Sequence, residues 1–554
     1  LEEITPDLIA QVASRLYNEQ PRAGALPPTS SSVAMPGSLA NLGVVPGSAA
    51  ALPAHPAPPR SAPMPHSTPA PPQKLAELPS APPAPSVHSL PSFAGAPAAT
   101  APSTDGLRDF VANIRQMGIA SREPRMDPFG SKLRERFFSG EKTPATMGTR
   151  PLDVPAIRQD FPILRQRVHG KPLAWLDNAA TTQKPQCVID EITRFYAEDN
   201  SNIHRAAHTL AARATDAYEK ARQKVQTFLG AASLKEIVFV RGTTEGINLI
   251  TQTFGRKFLQ PGDEVILSTL EHHANIVPWQ MMAKEKQASL RVIPVNDRGE
   301  IMLEEYQKLL GPRTKVVALT QASNSLGTIL PVAEMTQMAK RYGARVLIDG
   351  AQSVAHLPVN MQQLGCDFFV FSGHKIFGPT GVGVVYIKED LHDILPPWQG
   401  GGNMIRNVTF EETTFSEAPG KFEAGTPNIA DAVGLGAALD YVNRLGLANI
   451  AAYEHELLDY ATARLSSING LRLIGTAREK VSVLSFVLPN RRTEDIGRML
   501  DQEGIAVRSG HHCSQPSLRR FGVETTVRPS LSFYNTKEEI DRLTDAIKRI
   551  QQAP

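Results

Sequence analysis

The sequence predicts an α/β protein built on a large, mostly parallel sheet, with a smaller α+β domain after it and a disordered proline- and alanine-rich extension before it. Three observations carry this reading. Short β-rich runs alternate with helix-length stretches through the middle of the chain. The stretch from Asn449 to Gln552 mixes helices with β runs, and 22 of the 45 prolines in 554 residues fall within the first 102.

The extension comes first. Between Pro21 and Thr104 only Arg22, Arg60, Lys74 and Glu77 are charged and only Phe93 is aromatic. Such a segment cannot bury enough apolar surface to offset its ordering entropy, and its composition carries no chemistry. A short amphipathic stripe lies at each end of it. Thr5 can cap, Pro6 suits a first helical turn, and Leu8, Ile9, Val12, Leu16 and Tyr17 recur at helical spacing. Leu107, Phe110, Val111, Ile114 and Met117 repeat the pattern and stop at Gly118. Helices are therefore expected near 6–19 and 106–117, marginal in isolation and docked either on the chain's own core or on a partner. The linker between them has a root-mean-square reach of about 50 Å.

From Pro151 onward the chain reads as globular. Ile237 to Val240, Glu264 to Ser268, Leu290 to Val295, Lys315 to Thr320, Arg345 to Ile348 and Phe368 to Phe371 read as strands, separated by helical stretches such as Thr244 to Phe258 and Val332 to Tyr342. This is the βαβ rhythm of a parallel sheet. A large domain is expected over about 165–420. A small domain is expected over about 449–552, joined by 151–165, with β runs at Val481 to Val487 and Pro529 to Phe533.

Composition excludes several partners. A net charge of +3, with no Lys/Arg-rich run interleaved with aromatics, argues against a nucleic-acid surface. No apolar run approaches the roughly 18 residues of a membrane span. Glu2, Glu3 and Asp7 stand where a secretory signal would be basic and then apolar, so the expected location is cytoplasmic. Three cysteines make no disulfide framework and no Cys-x-x-Cys pair. Cys187 and Cys366 read as packing residues. His511, His512 and Cys513 fit no zinc template, and no metal is expected.

The candidate chemistry gathers at strand ends, where open α/β sheets bind ligands. Ser372, His374 and Lys375 follow one strand, and a lysine among small and apolar residues can shed its proton and join a carbonyl. Asp349 and Gln352 follow another. Arg241-Gly242-Thr243-Thr244-Glu245-Gly246 opens a helix and offers a phosphate seat. Glu271-His272-His273-Ala274-Asn275 follows a third strand. Each feature alone has an ordinary explanation: a surface lysine, a strand-ending acid that caps a helix or binds metal, a capped helix. The pairing of an acid with a lysine 26 residues later is what pyridoxal phosphate requires.

Taken with Leu176-Asp177-Asn178-Ala179-Ala180-Thr181-Thr182 and Ser323-Asn324-Ser325-Leu326-Gly327, these motifs in this order resemble the fold-type I, pyridoxal-phosphate-dependent cysteine desulfurases. Arg508-Ser509-Gly510-His511-His512-Cys513-Ser514-Gln515-Pro516 resembles the cysteine loop of their second group, the SufS-like enzymes. The resemblance spans about Asp153 to Gln552. It implies that Lys375 holds the cofactor, Asp349 pairs with its ring nitrogen, Gln352 lies near the ring hydroxyl, and His272 stacks on the ring and moves protons. Thr243, Thr244, Ser372 and His374 would hold the phosphate. Thr426, in Phe422-Glu423-Ala424-Gly425-Thr426-Pro427, would reach the phosphate of a neighbouring subunit, so a homodimer is implied. Arg528 would bind the substrate carboxylate, with Asn324 between it and the ring, Arg508 as a secondary anchor and His204 on the pocket wall. Cys513, as a thiolate, would take sulfur from L-cysteine and leave L-alanine.

The same resemblance leaves sulfur and selenium undivided, since the family includes selenocysteine lyases. A scaffold keeping only the fold is the reading of another class, and the filled catalytic positions speak against it. SufS-like enzymes begin near where Asp153 stands, and the added extension resembles that of desulfurases carried as cargo inside encapsulin nanocompartments. A shell would then be one partner. The sulfur acceptor would be a SufE-like or SufU-like protein or a small thiol.

Overall fold

The computed structural model describes residues 151–203 and 208–552. The two helical stripes, the linker between them and His204 lie outside the described residues.

Seven strands form the principal sheet: β1 (Ile237–Val240), β2 (Glu264–Ser268), β3 (Ser289–Ile293), β4 (Thr314–Thr320), β5 (Arg345–Asp349), β6 (Phe368–Ser372) and β7 (Gly383–Ile387). Their order is β1-β7-β6-β5-β4-β2-β3. Neighbours from β6 through β3 run parallel, whereas β7 runs antiparallel to both β6 and β1. The α/β reading with a mostly parallel sheet is therefore the observed one. The alternation used to find strands picks out parallel βαβ units, and β7, which follows β6 without a crossover helix, escapes it.

Side-chain alternation divides the core. Phe239, Ile266, Val317, Ile348 and Phe371 pack in one buried cluster, while Val238, Leu267, Ala318, Leu347 and Val370 pack in another. A two-residue period places adjacent residues on opposite faces, so near-continuous apolar runs mark strands covered on both sides. On the first face lie α1 (Thr209–Leu229) and α4 (Ile429–Leu445), and α2 (Thr243–Ile250) and α3 (Val332–Lys340) follow β1 and β4.

The helix expected through Phe258 is not regular. α2 stops at Ile250, and Thr251–Gly255 form a π turn before a last helical turn at Arg256–Phe258. Thr251 Oγ1 donates to Asn248 O at 2.9 Å and Thr253 Oγ1 to Leu249 O at 2.8 Å. Hydroxyls that bond back to helix carbonyls bend the helix there.

A second sheet, antiparallel, joins β8 (Arg472–Ile474), β9 (Ser485–Val487), β10 (Arg508–Gly510) and β11 (Thr526–Arg528) in the order β8-β9-β11-β10. Its core takes Leu457, Leu458, Ala461 and Leu465 from α5 (Leu447–Ser466), and Ile540, Leu543, Ile547 and Ile550 from α6 (Lys537–Gln552). The strand expected at Pro529 to Phe533 is displaced: pairing runs through Arg528 and ends where Pro529 has no N–H to donate. Only Ser530 continues, in single bridges to Asp177 and Val483. The run from Val481 likewise shrinks to Ser485–Val487.

The two cysteines read as packing residues differ. Cys366 is buried, and burial pushes its thiol up to about 12. Cys187 is exposed, because the inward face of its helix, Gln186–Arg194, is taken by Val188. Among the described residues no helix is long and apolar enough to cross a membrane.

Candidate active site

Five parallel strands deliver their carboxyl ends to one edge of the sheet. Gly242 and Thr243 follow β1, His272 follows β2, Asn324 follows β4, Asp349 closes β5, and Ser372 closes β6 three residues before Lys375. Register brings the first and last of these together, since Gly383 of β7 pairs with both Val240 and Ser372. A Cβ on Gly383 would lie 2.5 Å from Gly242 Cα, so only glycine allows these backbones to meet. Ser372 Oγ accepts from Thr243 N–H at 2.9 Å and bonds Thr243 Oγ1 at 2.9 Å. The seat thus comprises two tied hydroxyls at the start of α2, with Thr244 exposed beside them.

Lys375 is positioned through the carbonyl of the residue before it. His374 O accepts from Thr182 N–H at 3.0 Å, Thr181 Oγ1 at 3.0 Å, Thr182 Oγ1 at 3.1 Å and Lys184 Nζ at 3.2 Å. Thr182 Oγ1 in turn accepts from Phe377 N–H at 2.8 Å, which fixes the far side of the turn. Burial lowers the Lys375 amine to about 8, against the pull of Asp349, which favours the protonated form. The Asp349 carboxyl is itself raised by burial, while Ala351 N–H, at 2.9 Å, and Lys375 oppose that rise. Burial, Lys375 and Lys184 together lower His374 to about 4. Gln352 donates to Ala179 O at 2.7 Å, which ties the turn after β5 to the 176–184 strap.

His272 is a neutral imidazole. Burial first, then Lys375, His273 and Arg528, lower it to about 3. Its Nδ1 accepts from Ala274 N–H at 3.0 Å, which leaves the proton on Nε2. The preceding residue, Glu271, is fully buried, accepting from Ser268 Oγ and, at 2.7 Å, from Asn275 Nδ2; burial raises it to about 7.

The Cys513 loop is held from three sides. His273 N–H donates to Cys513 O at 2.8 Å, and Cys513 N–H donates to His511 Nδ1 at 3.0 Å. Asn324 Nδ2 donates to His512 O at 2.7 Å, and Ser514 Oγ donates to Asn324 Oδ1 at 2.7 Å. His512 Nε2 lies 2.8 Å from Thr526 Oγ1, and the rings of His273 and His511 stack at 5.7 Å. These anchors hold two successive left-handed residues, His512 at φ 53° and Cys513 at φ 54°, a conformation costly for non-glycine residues. Asn324, expected between substrate and ring, spends its amide on this loop.

Arg528 is 2% exposed. Its Nη1 donates to Asn324 O at 2.9 Å and its Nη2 to Asp177 Oδ1 at 3.0 Å, while the buried Nε has no partner. Arg508, half exposed, reaches the other oxygen of Asp177 at 3.3 Å. Thr426 stands exposed, three residues beyond Glu423, which is buried in a bidentate pair with Arg222 at 2.7 and 3.0 Å. Among the described residues no group of three or more His, Cys, Asp or Glu side chains is placed to hold a metal ion.

The donor set fits pyridoxal phosphate: a dehydrated amine for an aldehyde, a buried carboxylate beside it for a ring nitrogen, a neutral imidazole, and a glycine-walled seat with paired hydroxyls. Asp177, Thr181, Thr182, Lys184, His273 and Ser514 carry no role legible in the sequence. All but Lys184 lie inside the motifs above, but the partners of Asp177, Thr181 and Thr182 are nearly two hundred residues or more away, at Arg528 and His374, so spacing gives no sign of the contact.

A family model, aminotransferase class-V, matches residues 174–543. A cysteine desulfurase of Synechococcus elongatus is 55% identical over 504 residues, covering 89% of this chain and 80% of that one. A probable cysteine desulfurase 1 of Mycobacterium leprae is 61% identical over 400 residues, which are 72% of this chain and 66% of the relative. Among solved structures, the cysteine desulfurase CsdA of Escherichia coli superposes with a TM-score of 0.67 at 38% identity, over 73% of this chain and 99% of that one.

The lowered amine makes a prediction about pH. In cofactor-free protein, capture of added pyridoxal phosphate by Lys375, followed by its visible absorption, should quicken as pH rises through a midpoint near 8. Asp349→Asn, removing the charge that favours the protonated amine, should move that midpoint down. A midpoint at the ordinary lysine value of 10.5 would contradict the site's burial.

Proposed function

The chain belongs to the cysteine desulfurases of the class-V aminotransferase family, and we propose that it takes the sulfur of L-cysteine onto Cys513 as a persulfide and releases L-alanine. The observation that carries this reading is the placement of Cys513. Its loop is bonded to the loop bearing His272 and to Asn324, and its thiol lies close enough to act electrostatically on both Lys375 and Arg528.

Pyridoxal phosphate, when bound, supplies an electron sink that acidifies the substrate's α-hydrogen and makes its sulfur electrophilic. The remaining work falls to side chains. Arg528 orients the substrate carboxylate through a guanidinium edge that has an unpartnered N–H. Lys375, with an amine near 8, carries the α-proton on Nζ and returns a proton to carbon. Asp349 supplies negative charge beside Lys375, and His272 offers an uncharged face with its proton on Nε2. Cys513 thiolate then bonds to the substrate sulfur as the substrate's C–S bond breaks. The electron pair stays on carbon, which takes a proton to give L-alanine, and the sulfur remains on Cys513.

The short, anchored cysteine loop supports placement in the SufS-like second group. Thr426, exposed on a loop anchored by the Arg222–Glu423 pair, supports a homodimer in which it reaches the partner's phosphate seat. The sulfur acceptor is then a SufE-like or SufU-like carrier or a small thiol. Two assays divide this reading from selenocysteine lysis. Cys513→Ser should reduce alanine release from L-cysteine by at least about a thousandfold, the scale of losing a nucleophile. Release from selenocysteine should survive, since selenium can leave without a thiolate. Loss of the selenium reaction with retention of the sulfur reaction would reverse the assignment.

We also propose that the first 150 residues load the enzyme into an encapsulin shell. The Synechococcus relative aligns over 89% of this chain, more than residues 151–552 alone supply, so part of the extension is shared with it. Co-expression with a shell protein should pack the full chain and exclude a variant lacking residues 1–120, both retaining desulfurase activity. Equal packing would refute the role.

A further inference from the structure

Resting on the reading that Arg528 receives the substrate's carboxylate, we propose that Asp177 is a positioning residue for that carboxylate, holding Arg528 and Arg508 so that one guanidinium edge is presented to the substrate. Asp177 is 9% exposed and gives one oxygen to each arginine, Oδ1 to Arg528 Nη2 at 3.0 Å and Oδ2 to Arg508 Nε at 3.3 Å. Arg528 Nη1 is taken by Asn324 O at 2.9 Å, from another strand end. A guanidinium has five N–H donors, and these two contacts use two of them. The buried, unpartnered Nε–H is among the three that remain. An adjacent pair of free donors is the geometry a carboxylate accepts.

Charge leads to the same place. Two arginines against one aspartate leave one positive charge, which one substrate carboxylate meets. Burial alone would pull Arg528 down, to about 10 with its partners in place, and Asp177 is the first of the partners that oppose this. Without Asp177 the Arg508 and Arg528 charges would face each other, and the fork of Arg528 would be held at one end only.

Asp177 can do this because its own backbone is fixed. Asp177 bridges to Ser530, Ser530 N–H donates to Leu176 O at 2.7 Å, and Asn178 Nδ2 donates to Ser530 O at 2.7 Å. Two residues before Ser530 is Arg528 itself, so the acid and the base it holds sit on two segments stitched together.

The test uses holoenzyme and two fragments of the substrate: 3-mercaptopropionate, with a carboxylate and no amine, and cysteamine, with an amine and no carboxylate. Dissociation constants are measured by calorimetry beside kcat and KM for L-cysteine. In Asp177→Asn, the KM and the 3-mercaptopropionate constant should each rise about tenfold, the worth of one charge-assisted contact. kcat should fall less than KM rises, and cysteamine binding should stay within about twofold, since it makes no such contact. Asp177→Glu, which keeps the charge one methylene away, should give an intermediate and equally selective loss, and it serves if the Asn variant does not fold. An equal loss for both fragments, or no loss for either, would overturn the role of Asp177. Arg528→Lys separates the two levels. If it leaves 3-mercaptopropionate unaffected, the reading of Arg528 fails; if it weakens that ligand while the Asp177 variants do not, only this inference fails.

Discussion

A lysine amine kept out of water beside a carboxylate is the constraint around which the rest of this structure is arranged. Either charge alone would be costly at this depth, and together they are tolerable only while backbone holds them in register. The register comes from the sheet. Asp349 is the last residue of β5, opposite Thr320 of β4 and Val370 of β6, and Lys375 follows three residues after the end of β6, at the close of the turn Gly373–Lys375. Every covered apolar strand that stiffens this sheet therefore also fixes how far the amine stands from the acid.

The strap at 176–184 ties three parts of the candidate site together. It bonds the carbonyl preceding Lys375, the backbone beside Arg528 through Ser530, and the amide of Gln352 through Ala179 O. Sulfur transfer needs a thiolate, an electrophilic sulfur and a carboxylate anchor at set separations, and misplacement by an ångström is costly. Asn324 bonds both the Cys513 loop and Arg528, so the nucleophile and the anchor share one support.

Much of this was legible in the sequence. β1 and β2 have the expected ends, because covered strands are bounded by sharp changes in composition. Ser372, His374, Lys375, Asp349, Gln352, His272 and the Thr243–Thr244 turn stand out in the sequence because they follow strand ends, where α/β sheets place their ligands; Asn324, Arg528 and Cys513 enter only through the family resemblance. The antiparallel β7 was missed because it breaks the rhythm that reveals its neighbours. The strand expected at Pro529 lies a few residues earlier, at Thr526–Arg528, because apolarity marks burial while proline governs pairing. Asp177, Thr182 and Ser514 had no legible role: a polar residue's function is set by its partner, and their partners are distant in sequence. The resemblance places Asn324 beside the ring, and in the structure its amide bonds the cysteine loop.

If sulfur moves to the Sγ of Cys513, it can be located there directly. Holoenzyme turned over briefly with L-cysteine, without a thiol acceptor, can be alkylated, digested and read by mass spectrometry. One added sulfur atom is expected on the peptide containing Cys513 and none on those containing Cys187 or Cys366. Alanine release accompanied by sulfur on either of the other cysteines, or by none on Cys513, would contradict it.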